Sequence, residues 1–274
     1  MTTVVFGSRG NVGSHVLAGL RAAGEPARAT SRVAGPGLVV ADLREPATLG
    51  PALDGAERAF LYAHPEGIDG FVRAARQAGL RRVVLLSTGA LARPGAESSP
   101  IAERHRAVEE ALEASGLEWT FVRAGMFATN TLAWRPSIVA EGRVRLPYPE
   151  AFTAPLHEAD IAAVAVTALL GAGHAGQAYP LWGPQSLTLR DQVGAIAAAV
   201  GRPIAVETVT PELARIEMSR VMPEFAVNAV LGVWAAGVDR PAAVSTLVPE
   251  LTGRPARTYR EWAVDHSADF RPVP

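Results

Sequence analysis

Residues 4–16 read VVFGSRGNVGSHV, and this stretch decides the fold. Its first three residues form an apolar, β-branched run of the kind found in a buried strand. The run leads into the spacing Gly-x-x-Gly-x-x-Gly, made by Gly7, Gly10 and Gly13, and then into a helix-like segment. Glycine at these places permits a tight turn, close backbone approach to a pyrophosphate and close packing of helix on sheet. The pattern indicates a dinucleotide-binding loop, the alternative being a glycine-rich turn without a ligand.

Outward from this loop, short β-branched runs alternate with longer Ala/Arg/Glu segments, as in βαβ units on a parallel sheet. The predicted strands are Thr3–Phe6, Ala27–Ser31, Leu38–Ala41, Arg58–Tyr62, Arg82–Ser87, Glu118–Arg123 and Gln177–Leu181. The predicted helices are Val12–Ala23, Pro46–Leu53, Ile68–Gln77, Glu103–Ala114 and Ala159–Leu170. Trp134–Thr153, with three prolines, is predicted to be a loop, and the chain from Thr188 onward to be purely helical.

These elements predict an α/β fold, a Rossmann-like doubly wound parallel sheet with a smaller, mainly helical C-terminal lobe. Residues 1–130 plus 151–182 are assigned to the nucleotide-binding domain. Residues 131–150 plus 183–274 are assigned to a substrate or lid lobe. In that lobe, Thr188 with Asp191 and Thr258 with Glu261 have the spacing of helix capping boxes.

Composition excludes several kinds of chemistry. The 274 residues include no cysteine and no lysine, so all 26 basic residues are arginine. Schiff-base chemistry and the Tyr-x-x-x-Lys proton relay are therefore excluded, as are disulfides and thiolate metal sites. The net charge of −1 argues against a nucleic-acid partner, and no His-Glu-x-x-His spacing supports a metal. The cleanest apolar run, Ile161–Leu170, is too short to span a membrane, so a cytoplasmic protein, monomer or homodimer, is expected.

Cofactor choice is encoded near the end of the second predicted strand. Residues 28–32 read RATSR and contain no acid that would bind the ribose 2′-hydroxyl of NAD. Arg32, with Arg9 from the glycine loop, instead suggests the 2′-phosphate of NADP(H), because guanidinium groups pair well with phosphate. The alternative is that Arg32 is a solvated surface residue. Asp42 and Leu43, after the third strand, are placed beside the adenine, although a plain loop acid is also consistent.

Five further stretches share a family pattern with the glycine loop: residues 83–90 (VVLLSTGA), 105–109 (HRAVE), 115–123 (SGLEWTFVR), 173–184 (GHAGQAYPLWGP) and 252–262 (TGRPARTYREW). With these stretches, essentially the whole chain resembles the NmrA-like atypical short-chain dehydrogenases/reductases. Within that family it is similar to the branch of NADPH quinone oxidoreductases and triphenylmethane reductases. Family members include both reductases and redox sensors without turnover.

The resemblance implies roles for particular residues. The pyrophosphate would lie on the loop formed by Gly7, Ser8, Arg9, Gly10, Asn11, Val12 and Gly13. Arg32 would bind the 2′-phosphate, Ser87 and Thr88 would lie near the nicotinamide ribose, and His105 would take the place of the relay lysine. Ala63 and Phe127 complete the predicted cofactor-binding set. Residues 124–130 keep the family's Gly125, Phe127 and Asn130 but depart from its pattern at Ala124, Met126 and Thr129, so different contacts to nicotinamide and substrate are expected.

Three side chains are candidates for acid–base or orienting roles. His64 follows the fourth strand at the carboxyl edge of the sheet, where it is either a proton donor or a structural loop histidine. His105 either binds the ribose or packs within its helix. Tyr148 either donates its phenol proton to the substrate or anchors a proline-rich loop. His157 is interpreted as a structural residue. Candidate substrate contacts are Met126, Asn130, Trp134 and Phe152, with core or lid packing as the alternative for the aromatic residues.

The function hypothesis is an NADPH-dependent reductase that transfers hydride to a conjugated or quinone-like small molecule, such as an aromatic substrate of secondary metabolism. Hydride transfer needs orientation and a dry pocket more than a dedicated acid, so solvent can supply the proton. Two alternatives from other classes are an NADP-binding redox sensor without turnover and a non-redox cyclase or dehydratase on the same fold.

Overall fold

The computed structural model describes residues 1–93, 95 and 99–271. Strands β1 to β11 cover Thr2–Val5, Ala27–Ser31, Val39–Val40, Ala56–Tyr62, Arg82–Thr88, Glu118–Ala124, Arg143–Leu146, Phe152–Thr153, Gln177–Leu181, Leu187–Thr188 and Ala205–Thr208. Helices α1 to α11 cover Asn11–Ala22, Leu49–Leu53, Ile68–Gln77, Pro100–Glu113, Arg135–Glu141, Glu158–Leu170, Leu189–Val200, Pro211–Met218, Glu224–Ala236, Leu247–Thr252 and Tyr259–Asp265.

The chain forms two compact units. Unit 1 contains Met1–Gly125, Glu158–Leu181 and Thr246–Pro255, and unit 2 contains Met126–His157, Trp182–Ser245 and Ala256–Pro274. Compared with the predicted boundaries, residues 126–130, 151–157 and 182 lie in unit 2, where the backbone of Phe127 pairs with that of Leu156. Residues 246–255 return to unit 1, because α10 packs on α6.

Unit 1 contains one seven-stranded sheet in the order β3-β2-β1-β4-β5-β6-β9. Every neighbouring pair is parallel. The predicted Rossmann-like α/β fold is therefore confirmed. The strand order reverses at β1, which lies between β2 and β4, and open α/β sheets bind ligands at the carboxyl ends of strands beside such a reversal.

Apolar side chains on both faces of this sheet hold unit 1 together. Phe6 and Phe71 meet edge to face with ring centroids 5.6 Å apart, and Phe71 on α3 is fully buried.

The helix α4, which follows β5, was predicted to start at Glu103 but begins at Pro100. The Ser99 hydroxyl accepts a hydrogen bond from the Ala102 amide, and proline suits the first turn of a helix.

Unit 2 departs from the prediction in two places. The predicted loop Trp134–Thr153 contains α5, β7 and β8, so that prediction was wrong. Pro136 is compatible with α5 because it lies in the first turn, where its missing amide hydrogen would have no helical partner. In β7, Val144 and Leu146 are buried while Arg143 and Arg145, which alternate with them, are partly exposed, the period of a strand.

The expectation of a purely helical chain after Thr188 was also wrong, because Ala205–Thr208 forms β11, which pairs in parallel with β7. A two-residue antiparallel pair joins β8 to β10. Both predicted capping boxes are confirmed, at Thr188 with Asp191 and at Thr258 with Glu261. An apolar cluster that includes Trp134, Ile138, Leu231 and Trp262 forms the core of this unit.

Candidate functional site

The glycine loop joins β1 to α1 and has the geometry of a phosphate cradle. Gly7 has a φ of +63°, a conformation that L side chains rarely adopt, and its carbonyl accepts a 2.8 Å hydrogen bond from the Gly10 amide. Gly10 is the N-cap of α1 and has no side chain with which to cap it. A Cβ on Gly13 would lie 2.3 Å from the Gly7 oxygen. Gly7 and Gly13 are thus required by the backbone, and the loop leads into the N-terminus of a twelve-residue helix, where first-turn amides have no partner within the helix and can bind an anion.

Hydroxyl groups fasten this loop to β2. The Ser8 hydroxyl donates to the Thr30 carbonyl at 2.9 Å, and the Thr30 hydroxyl donates to the Val5 carbonyl at 3.0 Å. Ser8 is therefore a structural residue of the loop through its side chain.

Just after β2, Arg32 is exposed, as is Arg9 in the loop, and neither forms an ion pair with another residue that the structure describes. Two exposed arginines, one within the glycine loop and one just after β2, thus have no ion-pair partner among the described residues.

Asp42 is already committed to Arg44. The Arg44 guanidinium donates to both carboxylate oxygens, at 3.1 and 2.7 Å, and its backbone amide donates to Oδ1 at 3.0 Å. These hydrogen bonds, with a smaller effect from the charge of Arg32, lower the pKa of Asp42 to about 2. The adjacent Leu43 is partly buried against the core, and its carbonyl would lie 2.4 Å from a Cβ on Gly67. The Asp42 carboxylate is therefore ionised and held in place at the end of β3.

Beyond β4, the side chain of His64 lies in a charged cluster. Its Nδ1 is 3.4 Å from a carboxylate oxygen of Glu66, whose other oxygen is 2.7 Å from Arg104. Ala63, which precedes it, packs against the core of unit 1. His64 thus has a carboxylate beside it that can orient the ring, at the strand end where the sequence predicted it.

The residue before Ala63 is Tyr62, which sequence reasoning missed. Its phenol oxygen accepts a 3.0 Å hydrogen bond from the Gly13 amide, and its ring lies against the glycine loop. Its position in the sheet is the signal that could have identified it. Strand β4 lies next to β1, on the side opposite β2, so the last residue of β4 comes next to the loop that follows β1.

At the end of β5, Ser87 and Thr88 differ in what their hydroxyl groups can do. The buried Ser87 hydroxyl donates to Glu109 Oε1 at 2.6 Å. Glu109 also receives two hydrogen bonds from Arg123, at 3.0 and 2.6 Å. The Thr88 hydroxyl instead accepts a hydrogen bond from the Ala90 amide at 3.2 Å, and no described residue accepts its proton. Thr88 is the hydroxyl of this pair that can still donate to a ligand.

His105 lies one helical turn before Glu109 on α4. Its Nδ1 is 2.8 Å from the Ile101 carbonyl, and because a carbonyl only accepts, Nδ1 bears the hydrogen. Burial lowers the pKa of His105 below the usual 6.5, outweighing the hydrogen bond to Ile101 and the charge of Glu109. The ring is therefore neutral near pH 7, with Nε2 as an acceptor.

The remaining predicted residues belong to unit 2. Met126 and Tyr148 are partly buried against its apolar cluster, of which Trp134, only 9% exposed, is a member. Asn130 is exposed, and Phe152 in β8 is half-buried and donates its backbone amide to the Gly237 carbonyl. The Leu156 amide donates to the Met126 carbonyl and the Leu156 carbonyl accepts from the Ala128 amide, so Phe127 lies opposite Leu156 in a parallel bridge. His157 is buried, with Nε2 3.4 Å from Asp265.

The described ranges of the chain contain no cluster of three or more side chains suited to hold a metal ion. Nor does any helix in them have the length and apolarity needed to cross a membrane.

Comparison with known proteins agrees with this geometry. Residues 7–171 match the family model described as NAD(P)H-binding. Over 98% of this chain and 99% of the relative, the sequence is 38% identical to (4-alkanoyl-5-oxo-2,5-dihydrofuran-3-yl)methyl phosphate reductase of Streptomyces griseus. It is 37% identical to the NAD(P)H azoreductase of Xenophilus azovorans over 97% and 98% of the two chains.

Among solved structures, the chain is similar to NADPH-dependent quinone oxidoreductase of Escherichia coli complexed with NADPH, with a TM-score of 0.78 and 23% identity over 97% and 99% of the chains. The chain belongs to the NAD(P)H-binding reductases of the NmrA-like atypical short-chain dehydrogenase/reductase family. It is accordingly an NAD(P)H-dependent oxidoreductase, and the nicotinamide cofactor predicted from the glycine loop is confirmed.

Proposed function

We propose that this protein is an NADPH-dependent reductase that transfers hydride to an electron-poor conjugated double bond in a small molecule. The observation that carries the proposal is the row of groups at one sheet edge: Arg32, the glycine loop and Thr88 follow β2, β1 and β5. In this row we assign Arg32 to the 2′-phosphate, the glycine loop to the pyrophosphate and Thr88 to the nicotinamide ribose.

Phosphate selection rests on arginine. Arg32 and Arg9 are exposed beside the loop with no ion-pair partner among the described residues, whereas Asp42 is already paired with Arg44. An acid on the ribose would favour NADH, but the Asp42 carboxylate after β3 is already bound by Arg44. We therefore assign the 2′-phosphate of NADPH to Arg32, with Arg9 as its second cation.

The residues at the end of β5 orient the reacting ring. The nicotinamide supplies the hydride when bound. The Thr88 hydroxyl donates a hydrogen bond to the ribose or the carboxamide. Nε2 of neutral His105 accepts a hydrogen bond from a ribose hydroxyl. Ser87 supports this edge through Glu109 without donating to a ligand. The chain contains no lysine, so no Tyr-x-x-x-Lys relay operates, and the one proton that accompanies the hydride comes from solvent, or from His64 or Tyr148.

The two relatives of 37–38% identity are named for an unsaturated lactone and an azo substrate, which share a polarised double bond conjugated with a flat π system. We infer the same class of substrate here. Met126, Asn130 and Phe152 are proposed to contact it together with Phe127, which the family resemblance also assigns to the cofactor, and Trp134 to support their backbone from the core of unit 2.

The test is NADPH oxidation, followed at the nicotinamide absorbance, against three acceptors: a butenolide, an azo dye and a quinone. Steady oxidation with at least one acceptor, and conversion of that acceptor to its reduced form, is the expected result. Tight NADPH binding without oxidation by any acceptor would contradict the proposal and favour the redox sensor. Turnover of an acceptor with no net loss of NADPH would contradict it in favour of a non-redox enzyme.

A further inference from the structure

The helix α1 lacks a cap from its own N-terminal residues. Gly10 occupies the N-cap position, where serine, threonine or aspartate would normally accept a hydrogen bond from the first turn. The Tyr62 hydroxyl, which comes from the neighbouring strand β4, accepts that hydrogen bond instead, from the Gly13 amide at 3.0 Å. Tyr62 therefore takes the place of an N-cap side chain that the glycine motif has removed.

The ring of Tyr62 is held where only glycines leave room for it. A Cβ on Gly7 would lie 2.7 Å from the ring carbon Cε2, and a Cβ on Gly10 would lie 3.1 Å from the phenol oxygen. On the same face of β4, Phe60 is fully buried and meets Tyr62 edge to face with ring centroids 5.5 Å apart. The phenol oxygen is thus fixed at the open end of the loop, beside the Gly10 backbone.

The hydrogen of this phenol is uncommitted. The oxygen uses a lone pair on the Gly13 amide, and no acceptor for the O–H is present in the part of the chain that the structure describes. Burial raises the pKa of Tyr62 above its ordinary value of 10, so the group keeps its proton throughout the neutral range. It is an O–H donor at the helix end where an anion binds.

We propose that Tyr62 is a cofactor-binding residue whose hydroxyl donates a hydrogen bond to the pyrophosphate of NAD(P)H while it accepts one from the Gly13 amide. The pyrophosphate is then bound by backbone amides and by one phenol. A charge-assisted hydrogen bond of this kind is stronger than one between neutral groups. This inference concerns binding alone, so it holds or fails independently of the substrate and of the hydride transfer.

The test measures dissociation constants by calorimetry for NADPH and for 2′-phospho-ADP-ribose, and for adenosine 2′-monophosphate, which lacks the pyrophosphate, by competition. Tyr62→Phe keeps the ring and removes only the hydroxyl. The matched control is Tyr179→Phe, which in the same unit removes a hydroxyl that bonds His174 Nδ1 at 2.8 Å. We expect Tyr62→Phe to weaken the first two ligands about tenfold, the loss of one charge-assisted hydrogen bond, and the third less than about twofold. The control should change none of them.

Three results would overturn the proposal. One is unchanged NADPH affinity in Tyr62→Phe. Another is tighter binding, which would mean that the phenol blocks the site. The third is an equal loss for adenosine 2′-monophosphate, which would mean that the hydroxyl only supports the loop.

If Tyr62→Phe does not fold, fluorine NMR of the wild-type chain labelled with 3-fluorotyrosine decides. The chain has four tyrosines, so Phe variants of Tyr148, Tyr179 and Tyr259 assign the Tyr62 resonance by elimination. Inorganic pyrophosphate should shift that resonance. A resonance that neither pyrophosphate nor NADP⁺ moves would refute the contact.

Discussion

The hydroxyl of Ser87 donates a 2.6 Å hydrogen bond to the carboxylate of Glu109, and both side chains are buried. The same carboxylate accepts two hydrogen bonds from Arg123. The Glu109 side chain on α4 therefore connects Arg123 on β6 with Ser87 at the end of β5. The hydrogen bond to Glu109 raises the pKa of Arg123 above its already high value. This arrangement fixes the strand end that carries Thr88 and removes Ser87 from the list of proton donors.

Replacing Glu109 tests this network. Glu109→Ala leaves the Arg123 charge half-buried and unpaired, and we expect a loss of about 3 kcal/mol in the free energy of unfolding, measured with urea. The matched control is Glu110→Ala, one residue further along α4 and exposed, which should change stability by less than about 0.5 kcal/mol. Equal effects of the two substitutions would contradict the role assigned to Glu109.

Cofactor selection is tested by reversing one charge. Arg32→Glu should weaken NADPH at least about tenfold and leave NADH within about twofold, because only NADPH carries the 2′-phosphate. The control is Arg73→Glu on the exposed face of α3, which makes the same change in net charge away from the loop. If both substitutions weaken NADPH alike, the effect is long-range and Arg32 is not the phosphate ligand.

Much of unit 1 was predictable because its signals are local. The β-branched runs, the glycine spacing and the residues that close each helix placed β1, β2, β4, β5 and β6 within about two residues. Because βαβ units make these strands parallel, their carboxyl ends share one edge, which carries the glycine loop, Arg32 and Thr88.

What sequence reasoning missed depended on partners distant in the chain. In 134–153 the prolines outweighed the alternation of Val144 and Leu146, whose strand pairs with residues 205–208 about sixty positions later. The contact of Tyr62 with the glycine loop likewise depends on β4 lying next to β1, across 49 residues. The pairing of Asp42 with Arg44 depends on rotamers rather than on spacing. Such contacts have no periodic signature.

Substitution of a glycine by alanine should have opposite effects on stability in the glycine loop and in α7. A Cβ on Gly13 would meet the Gly7 carbonyl at 2.3 Å, so Gly13→Ala should abolish measurable NADPH binding and lower stability. Gly194 lies inside α7 with nothing within 4 Å of the place that a methyl group would occupy, and Gly194→Ala should stabilise the chain by about 0.5–1 kcal/mol. Thermal unfolding and calorimetry measure both effects. Retained binding in Gly13→Ala would refute the cradle geometry.

The titration of His105 gives a pH prediction. Its folded-state pKa is lowered, so the folded chain binds a proton less readily than the unfolded chain does. The stability linked to this group is therefore complete above pH 6.5 and is lost as the pH falls through the folded-state pKa. Histidine proton NMR should show a midpoint below 6.5 for His105, and His105→Gln should flatten this part of the stability profile. A midpoint above 6.5 would mean that the imidazole is charged and not the neutral acceptor assigned to it.

Hydride transfer from NADPH to the substrate is the central claim, and isotope transfer measures it most directly. Two samples of NADPH, each deuterated at nicotinamide C4 on a different face, are incubated separately with an acceptor that the enzyme reduces at carbon. The mass of each product is measured by mass spectrometry. We expect one deuterium per product molecule from one of the two labelled faces, at a carbon of the former double bond. A product formed without deuterium from either labelled face would contradict it.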